Sequence, residues 1–587
     1  MAKQRDLLWI AFLVGLGTVL YWNSLRTPFM WDEVVLITED PRVHDWSHVS
    51  EIFTKPFNID GMSAFITYYR PLSTLSFRID YLFWKLNPLG YHLTNLVLHL
   101  GSTLLIFALY RHFFKNSQLA FWGAFLFLAH PAHVEAVTYI PSRTDVLSFF
   151  FFLASFCFYV EGREIPRRFW FYIGSVACYG LALLSKERAT FLPLLVIAHA
   201  LLIDREKTRW RGSEGLLLLG MVLCAIVWML VRRYISIQLP LLAVLDIPRL
   251  ALRLFVLPKT LFSYIQIWFF PWPLHMGRMI PIEILKVRTL LLEWSGLCIF
   301  LIGIFFFFRR AVERFWLAWI VVSMLPVIHI FPIYFHSPHL SLAISEYLLY
   351  FASAGLIGLL GSRFGSWFVV GERGSISGSR AVLFLGGVLT LFSFLVVWQN
   401  EAYRDRMTLF EQAVHYAPYH VIAYNQLGLA YLNDVGDPEK AEALFKKAVS
   451  VTPTDGHAYV NLGILAQQRG DLKAAENYYK KGLELMPGNS ILLYNFGILY
   501  AIRKDWRGAI QFYEQAIKVN PYMFPMTHIE RGRAYWELGQ REKALQAAEE
   551  GLKIHPTDPD LQGLKRRIQE RLASQKESQK FSPLSRK

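Results

Sequence analysis

Residues 7–33 read LLWIAFLVGLGTVLYWNSLRTPFMWDE, and this stretch decides the fold. An apolar run, Leu7 to Leu25, is followed closely by two adjacent carboxylates, Asp32 and Glu33. The run is long enough to cross a bilayer, and the basic residues before it, Lys3 and Arg5, put its start on the cytoplasmic side. It is too long for a signal-peptide core and has no small-residue cleavage site, so it reads as a retained first span. Acidic side chains where a chain leaves the membrane are costly unless they face a polar site. Such a pair suits holding a metal, orienting a metal-bound phosphate or taking a proton from a hydroxyl. A solvated loop edge would also carry these two residues.

Working outward, the same apolar pattern recurs at 91–110, 119–137, 146–160, 169–184, 189–203, 213–231, 289–308, 315–335, 343–361 and 381–398. Hydrophobic residues make up 54% of the chain and aromatics 16%, the composition of a polytopic α-helical membrane protein. Positive charge sets the orientation: Arg111 to Lys115, Arg163 with Arg167 and Arg168, and Arg205 to Arg211 fall on the side of the N-terminus, the cytoplasm. The loop 26–90 then faces out. The stretch 252–270 carries Arg253, Pro258 and Lys259. If it spanned, Arg309-Arg310 and the Arg363 to Arg380 loop would turn outward, so it reads as re-entrant or interfacial. That leaves eleven spans and an exit on the outer side after Trp398. The formal charge of +15 fits cytoplasmic loops and phosphate-bearing ligands, and no nucleic-acid-binding motif is visible. The four cysteines lie in or beside apolar runs, with no disulfide framework or zinc spacing.

The C-terminal third repeats. Pro418, Pro453, Pro487, Pro521 and Pro556 are spaced by 34 or 35 residues, as are Gly428, Gly463, Gly497 and Gly532, and Ala441, Ala475, Ala509 and Ala544. Small residues let two antiparallel helices approach closely, and the prolines stop the second. Leu427-Gly428 with Tyr431, and Ala441 with Ala448-Val449, fit the tetratricopeptide pattern, giving about four units over 406–556. The expected architecture is all-α: an integral-membrane domain over 1–398, a tetratricopeptide α-solenoid over 399–572 and a frayed basic tail over 573–587. Such a solenoid holds peptides or proteins in its groove.

Polar residues within the apolar part supply the candidate chemistry. Tyr69-Arg70-Pro71 opens an amphipathic stretch, Leu72 to Leu86, that suits a helix lying on the outer surface of the bilayer. His92, Asn95 and His99 share one helix face and either line a cavity or bond a neighbouring helix. His130-Pro131-Ala132-His133-Val134-Glu135 ends the third span, and Arg143-Thr144-Asp145 begins the fourth. An arginine there suits a bidentate grip on phosphate, or a salt bridge to Asp145 or Glu135. Ser185-Lys186-Glu187-Arg188 and Glu346-Tyr347, the latter preceded by His336 and His339, complete the outer set. Carboxylates, the cations Arg70, Arg143, Lys186 and Arg188, and histidines on one face suit a reaction on a lipid phosphate, such as glycosyl transfer from a polyprenyl-phosphate sugar.

The order of Trp31-Asp32-Glu33, Tyr69-Arg70-Pro71-Leu72, Asn87-Pro88-Leu89-Gly90-Tyr91-His92-Leu93-Thr94-Asn95, His99, the His130 to Val137 block, Arg143-Thr144-Asp145 and Ser185-Lys186-Glu187 resembles the transmembrane and tetratricopeptide-repeat O-mannosyltransferase family. The trailing repeats match its layout. The resemblance implies a C-superfamily integral-membrane glycosyltransferase with a lipid-phosphate sugar as donor. It puts Asp32 and Glu33 in the acidic catalytic motif, and Arg143 and Lys186 at positions that bind donor phosphate, with Arg70 and Arg188 beside them. His92, Asn95, His130, His133, Glu135, Asp145, Glu187 and Glu346 then line the cavity. The family's acidic pair is commonly Asp-Asp, and its late Glu-Arg reads Glu346-Tyr347 here.

The resulting expectation is transfer of mannose or another hexose to Ser or Thr hydroxyls of a protein held in the repeat groove, at the outer face of a bacterial inner membrane. No cofactor is required by the sequence; a divalent ion on Asp32 and Glu33 is compatible with it, without a full ligand set. A repeat-based membrane scaffold, a ligase or polymerase of lipid-linked glycans and, last, a transporter are the competing readings.

Overall fold

A computed structural model describes residues 2–56, 68–165, 168–203, 212–235, 254–281, 287–326, 341–368, 376–520, 525–556 and 558–580. Arg167, the basic loop at 205–211, Arg253, the end of the run at 315–335, His336, His339, Pro521 and residues 581–587 lie outside the described residues. The chain forms two compact units, one of which carries 67–420 with most of the preceding residues, the other 421–587. The helix Ile376–Ala402 runs through the expected boundary at residue 398, and the helix Arg406–Tyr416 belongs to the first unit.

Each apolar run of the first unit carries a helix. Six described helices are long and apolar enough to cross a membrane: Pro88–Phe114, Ile140–Glu164, Ser213–Ile235, Val287–Phe307, Glu346–Trp367 and Arg380–Ala402. The chain is an integral membrane protein. The run 119–137 is not one helix, as its apolar content suggested. It stops at Leu128, because His130 holds extended backbone and Pro131 cannot continue the ladder; a turn over Pro131–His133 and a short helix Val134–Thr138 follow. The stretch at 252–270 forms the helix Leu257–Phe269, about 20 Å long and so shorter than the bilayer core. One antiparallel ladder, Arg278–Pro281 on Ser341–Ile344, is the only sheet among the described residues.

The helix Pro71–Trp84 is amphipathic in the inverted sense. Ser73, Thr74, Phe77, Arg78 and Asp80 are buried, whereas Ile79, Leu82 and Phe83 are exposed. Polar groups packed inward and apolar groups outward fit an element against lipid. Asn87 then caps the next helix, accepting the Leu89 N–H at 3.2 Å.

The second unit consists of paired helices, Val421–Ala430 (extended by a turn to Val435) with Pro438–Val451, Gly456–Gln468 with Leu472–Leu485, Ser490–Ile502 with Trp506–Val519, and Pro525–Glu537 with Arg541–Ile554. The last helix, Pro559–Lys580, continues through residues 573–580, where a frayed tail was expected; their Lys, Glu, Gln and Ser content permits a helix once its first turns pack. Asp437, Asp471 and Asp505 cap the second helices of three pairs through the N–H of Lys440, Ala474 and Gly508. Arg503 bridges back to Glu476 at 2.6 Å, and Arg469 makes the equivalent pair with Glu442 one repeat earlier. Gly463 recurs because a Cβ there would land on the Tyr479 ring, itself fully buried between the helices. Gly463→Ala should therefore destabilise the repeat unit by about 1–3 kcal/mol, read as a lower unfolding midpoint in differential scanning fluorimetry.

Candidate active site

The carboxylate pair is split by its own backbone. Trp31 sits at φ 51°, a left-handed conformation uncommon outside glycine, and its ring stacks on Tyr139 and packs edge-on against Phe410. From this turn Glu33 points inward and is 1% exposed. Its Oε2 accepts the Met30 N–H at 2.8 Å and its Oε1 the Ile140 N–H at 3.1 Å. Read from the sequence as half of a catalytic pair, Glu33 instead pins the loop to the start of the helix at Arg143–Glu164. Burial lifts its carboxyl to about 8, against the downward pull of the two N–H groups.

Asp32 is half-buried and accepts a 2.8 Å hydrogen bond from the Tyr139 hydroxyl on Oδ2. Among the described residues, Oδ1 carries no hydrogen bond. Burial lifts this carboxyl to about 6, and the Tyr139 bond opposes the rise. A carboxylate with one oxygen oriented and the other open is set up to take a proton. Tyr139→Phe removes the bond that favours the charged form. The midpoint of the Asp32 carboxyl, followed by infrared difference against Asp32→Asn, should then move up by roughly one pH unit or less. Both Glu33 oxygens accept backbone N–H groups, and no group of three or more His, Cys, Asp or Glu gathers among the described residues.

Arg143 does not face an open site. It is fully buried, and its guanidinium is spent on an ion pair with Asp80, on Asn95 Oδ1 at 2.7 Å and on the Tyr91 carbonyl at 2.5 Å. Its partner is neither Asp145 nor Glu135. An arginine inside an apolar bundle must satisfy its N–H groups locally, and Asp80 on the neighbouring inverted helix supplies the charge. Asp80 sits among the apolar positions of that helix, where spacing along the chain does not mark it as a partner of Arg143.

Four cations share the surroundings of two carboxylates, Asp145 and Glu187. Asp145 accepts both Lys186 Nζ at 2.5 Å and Arg188 Nη1 at 3.0 Å. Glu187 takes a bidentate grip from Arg70, 2.8 Å from Nη2 and 3.3 Å from Nε. Burial alone would raise the Glu187 carboxyl; Arg70 and Arg232 overcome that and hold it well below the usual carboxylate range. Burial pulls the Lys186 ammonium down to about 8, with Asp145 opposing. Arg70 stacks over Tyr68 at 4.2 Å, and the Tyr68 hydroxyl lies in the combined field of Arg70, Glu187, Arg232 and Asp32. Arg232, Tyr68 and Tyr139 were not singled out from the sequence. An arginine at the far end of a span from the cytoplasmic loops was the available signal.

The other residues expected to line a cavity are packing groups. His92 Nε2 lies 2.6 Å from Thr27 Oγ1, and Asn95 donates to the Val137 carbonyl. His130 donates through Nε2 to the Trp268 carbonyl, and His133 through Nδ1 to the Phe127 carbonyl. All four are 2% exposed or less. Polar groups on apolar helices bond their neighbours because nothing else satisfies them. Glu135 accepts the N–H groups of Glu346 and Tyr347, and Glu346 accepts that of His275 and pairs with Arg278 at 3.6 Å. Glu135 therefore braces the turn at 346, and Glu346 ties that turn to His275 and Arg278.

The human protein O-mannosyl-transferase TMTC3 is 26% identical over 489 residues, which is 77% of this chain and 52% of that protein. The Drosophila melanogaster Tmtc3 is 26% identical over 543 residues, 79% of this chain and 57% of that protein. The chain is a homologue of the transmembrane and tetratricopeptide-repeat O-mannosyl-transferases. It spans about half the length of the curated relatives it matches. The mouse protein O-mannosyl-transferase TMTC1 is 37% identical over 158 residues, 26% of this chain and 17% of that protein. Residues 419–488, 457–521 and 500–568 match family models described as tetratricopeptide repeat. The crystal structure of MamA aligns with 26% of this chain and 86% of its own at 25% identity and a TM-score of 0.23.

Proposed function

We propose that this protein is an integral-membrane glycosyltransferase. It moves a hexose, mannose by analogy with its homologues' names, from a polyprenyl-phosphate donor to Ser or Thr hydroxyls of a protein acceptor. The observation that carries the reading is the half-buried Asp32, with one oxygen open and the other held by Tyr139, its charge acting on the same Tyr68 hydroxyl as Arg70, Glu187 and Arg232. A lipid phosphate supplies the missing negative charge, with Arg70, Lys186 and Arg188 around it. Asp32 takes the proton of the acceptor hydroxyl as its oxygen attacks the anomeric carbon, and the C–O bond to phosphate breaks, leaving polyprenyl phosphate. Arg143 acts indirectly, by fixing the helix that carries Asp145. The repeats recruit the acceptor. We take the N-terminus to be cytoplasmic and the repeats to lie on the outer side of a bacterial inner membrane.

The test is transfer by the purified full chain in liposomes. Radiolabelled polyprenyl-phosphate sugars are supplied singly, with membrane and periplasmic extract as acceptor. Label arriving on protein supports the proposal and names the donor sugar. Label arriving only on glycan would replace it with the ligase reading. No transfer from any donor by folded protein would favour a scaffold.

A further inference from the structure

We propose that Arg232 is the fourth member of a phosphate seat and makes direct contact with the donor phosphate. The inference deepens the transferase reading and rests on it. Arg232 sits in the last turn of the helix Gly212–Ile235, where the apolar run has ended. It is half-buried, and its guanidinium carbon lies 5.3 Å from the centre of the Trp228 ring one turn earlier. Its Nε is buried without a hydrogen-bond partner, and no carboxylate among the described residues pairs with it.

Charge counting gives the seat its chemistry. Asp145 is shared between Lys186 and Arg188, and Glu187, already gripped by Arg70 through two nitrogens, also lies in the field of Arg232. Asp145 and Glu187 thus serve four cations, and an ionised Asp32, in the same field at Tyr68, leaves one positive charge unmatched. In a partly desolvated site an unmatched charge is expensive, so the surplus calls for an anion of about that charge and of tetrahedral, multi-acceptor shape. A phosphate on a lipid fits: it reaches the site from the bilayer, and Arg232 lies at the end of an apolar helix that is largely exposed along its length. Arginine is suited to this contact because its planar fork grips two phosphate oxygens and stays charged when buried. Arg70 has both its fork nitrogens committed to Glu187, whereas the buried Nε of Arg232 has no hydrogen-bond partner among the described residues.

The experiment measures binding of farnesyl phosphate, a short lipid phosphate without sugar, to the detergent-solubilised full chain by microscale thermophoresis. Farnesol serves as the uncharged probe. Arg232→Gln should weaken farnesyl phosphate at least about tenfold, the loss of roughly one charge-assisted hydrogen bond. Arg232→Lys should recover part of that loss, and farnesol binding should not change. Arg233→Gln, an exposed neighbour with the same change of charge, should stay within about twofold. Equal losses for Arg232→Gln and Arg233→Gln, wild-type affinity for Arg232→Gln, or no farnesyl phosphate binding by wild type would each overturn the proposal. Sugar transfer separates the two readings. A wild type that binds farnesyl phosphate through Arg232 and transfers nothing keeps this inference and removes the transferase. A wild type that transfers sugar, with Arg232→Gln binding and transferring as well, does the reverse.

Discussion

Asp32→Asn should lower sugar transfer by roughly 10²–10⁴-fold while leaving the protein folded and at least as heat-stable as wild type at pH 7.5. The amide keeps the shape of the side chain and cannot accept the acceptor's proton. With a midpoint of about 6, wild-type activity should rise as the pH increases through 6 and level off above it. Stability moves the other way. The folded-state value lies above the ~3.9 of an unfolded aspartate, so the carboxyl's contribution to stability is complete below about pH 4. It is lost as the pH rises through about 6, where the buried group must ionise. Asparagine avoids that ionisation, which is why the variant should not unfold earlier. A variant that retains transfer within about threefold would remove Asp32 from the base role. Loss of transfer together with a lower unfolding temperature would mark the residue as structural.

The second large effect lies at the buried pair Arg143–Asp80. Removing one partner leaves an unpaired charge in an apolar bundle, so Arg143→Ala or Asp80→Ala should cost about 3–5 kcal/mol. That should be visible as loss of monodisperse protein in detergent. The double replacement Arg143→Met with Asp80→Leu leaves no orphaned charge and should recover much of the stability. Size-exclusion profiles and unfolding midpoints of the three variants decide this. If Arg143→Ala stays folded and loses only donor binding, then Arg143 faces the donor after all. The contrast with Lys186 is one of sharing: Arg143 owns its carboxylate, whereas Lys186 divides Asp145 with Arg188.

Particular residues show where the sequence was legible. Asp437, Asp471 and Asp505 cap the second helices of three of the four pairs, a local signal that was not singled out from the sequence. The prolines and glycines at 34 or 35 residues are equally local. Asp32 was legible because a carboxylate at the end of an apolar run is locally anomalous. Glu33 looked equivalent to it, and the difference depends on Met30 and on the distant Ile140. The histidines at 92, 99, 130 and 133 looked like a site because their neighbours in sequence are apolar; their partners, Thr27, Tyr350, Trp268 and Ser353, come from other segments.

The sequence by itself located the apolar helices, the repeat array and the neighbourhood of the acidic motif, but not the number of spans. Each is a periodic or local property, fixed by burial of apolar surface and by hydrogen bonds within a few residues. Only the tertiary structure decided which charges meet. Arg143 finds Asp80 across 63 residues and Arg70 finds Glu187 across 117, while Tyr139 reaches back 107 residues to orient Asp32. Ion pairing depends on distance in space and on the exclusion of water, and spacing along the chain encodes neither. The surplus of cations around Asp145 and Glu187 therefore emerges only when the ends of the helices are brought together.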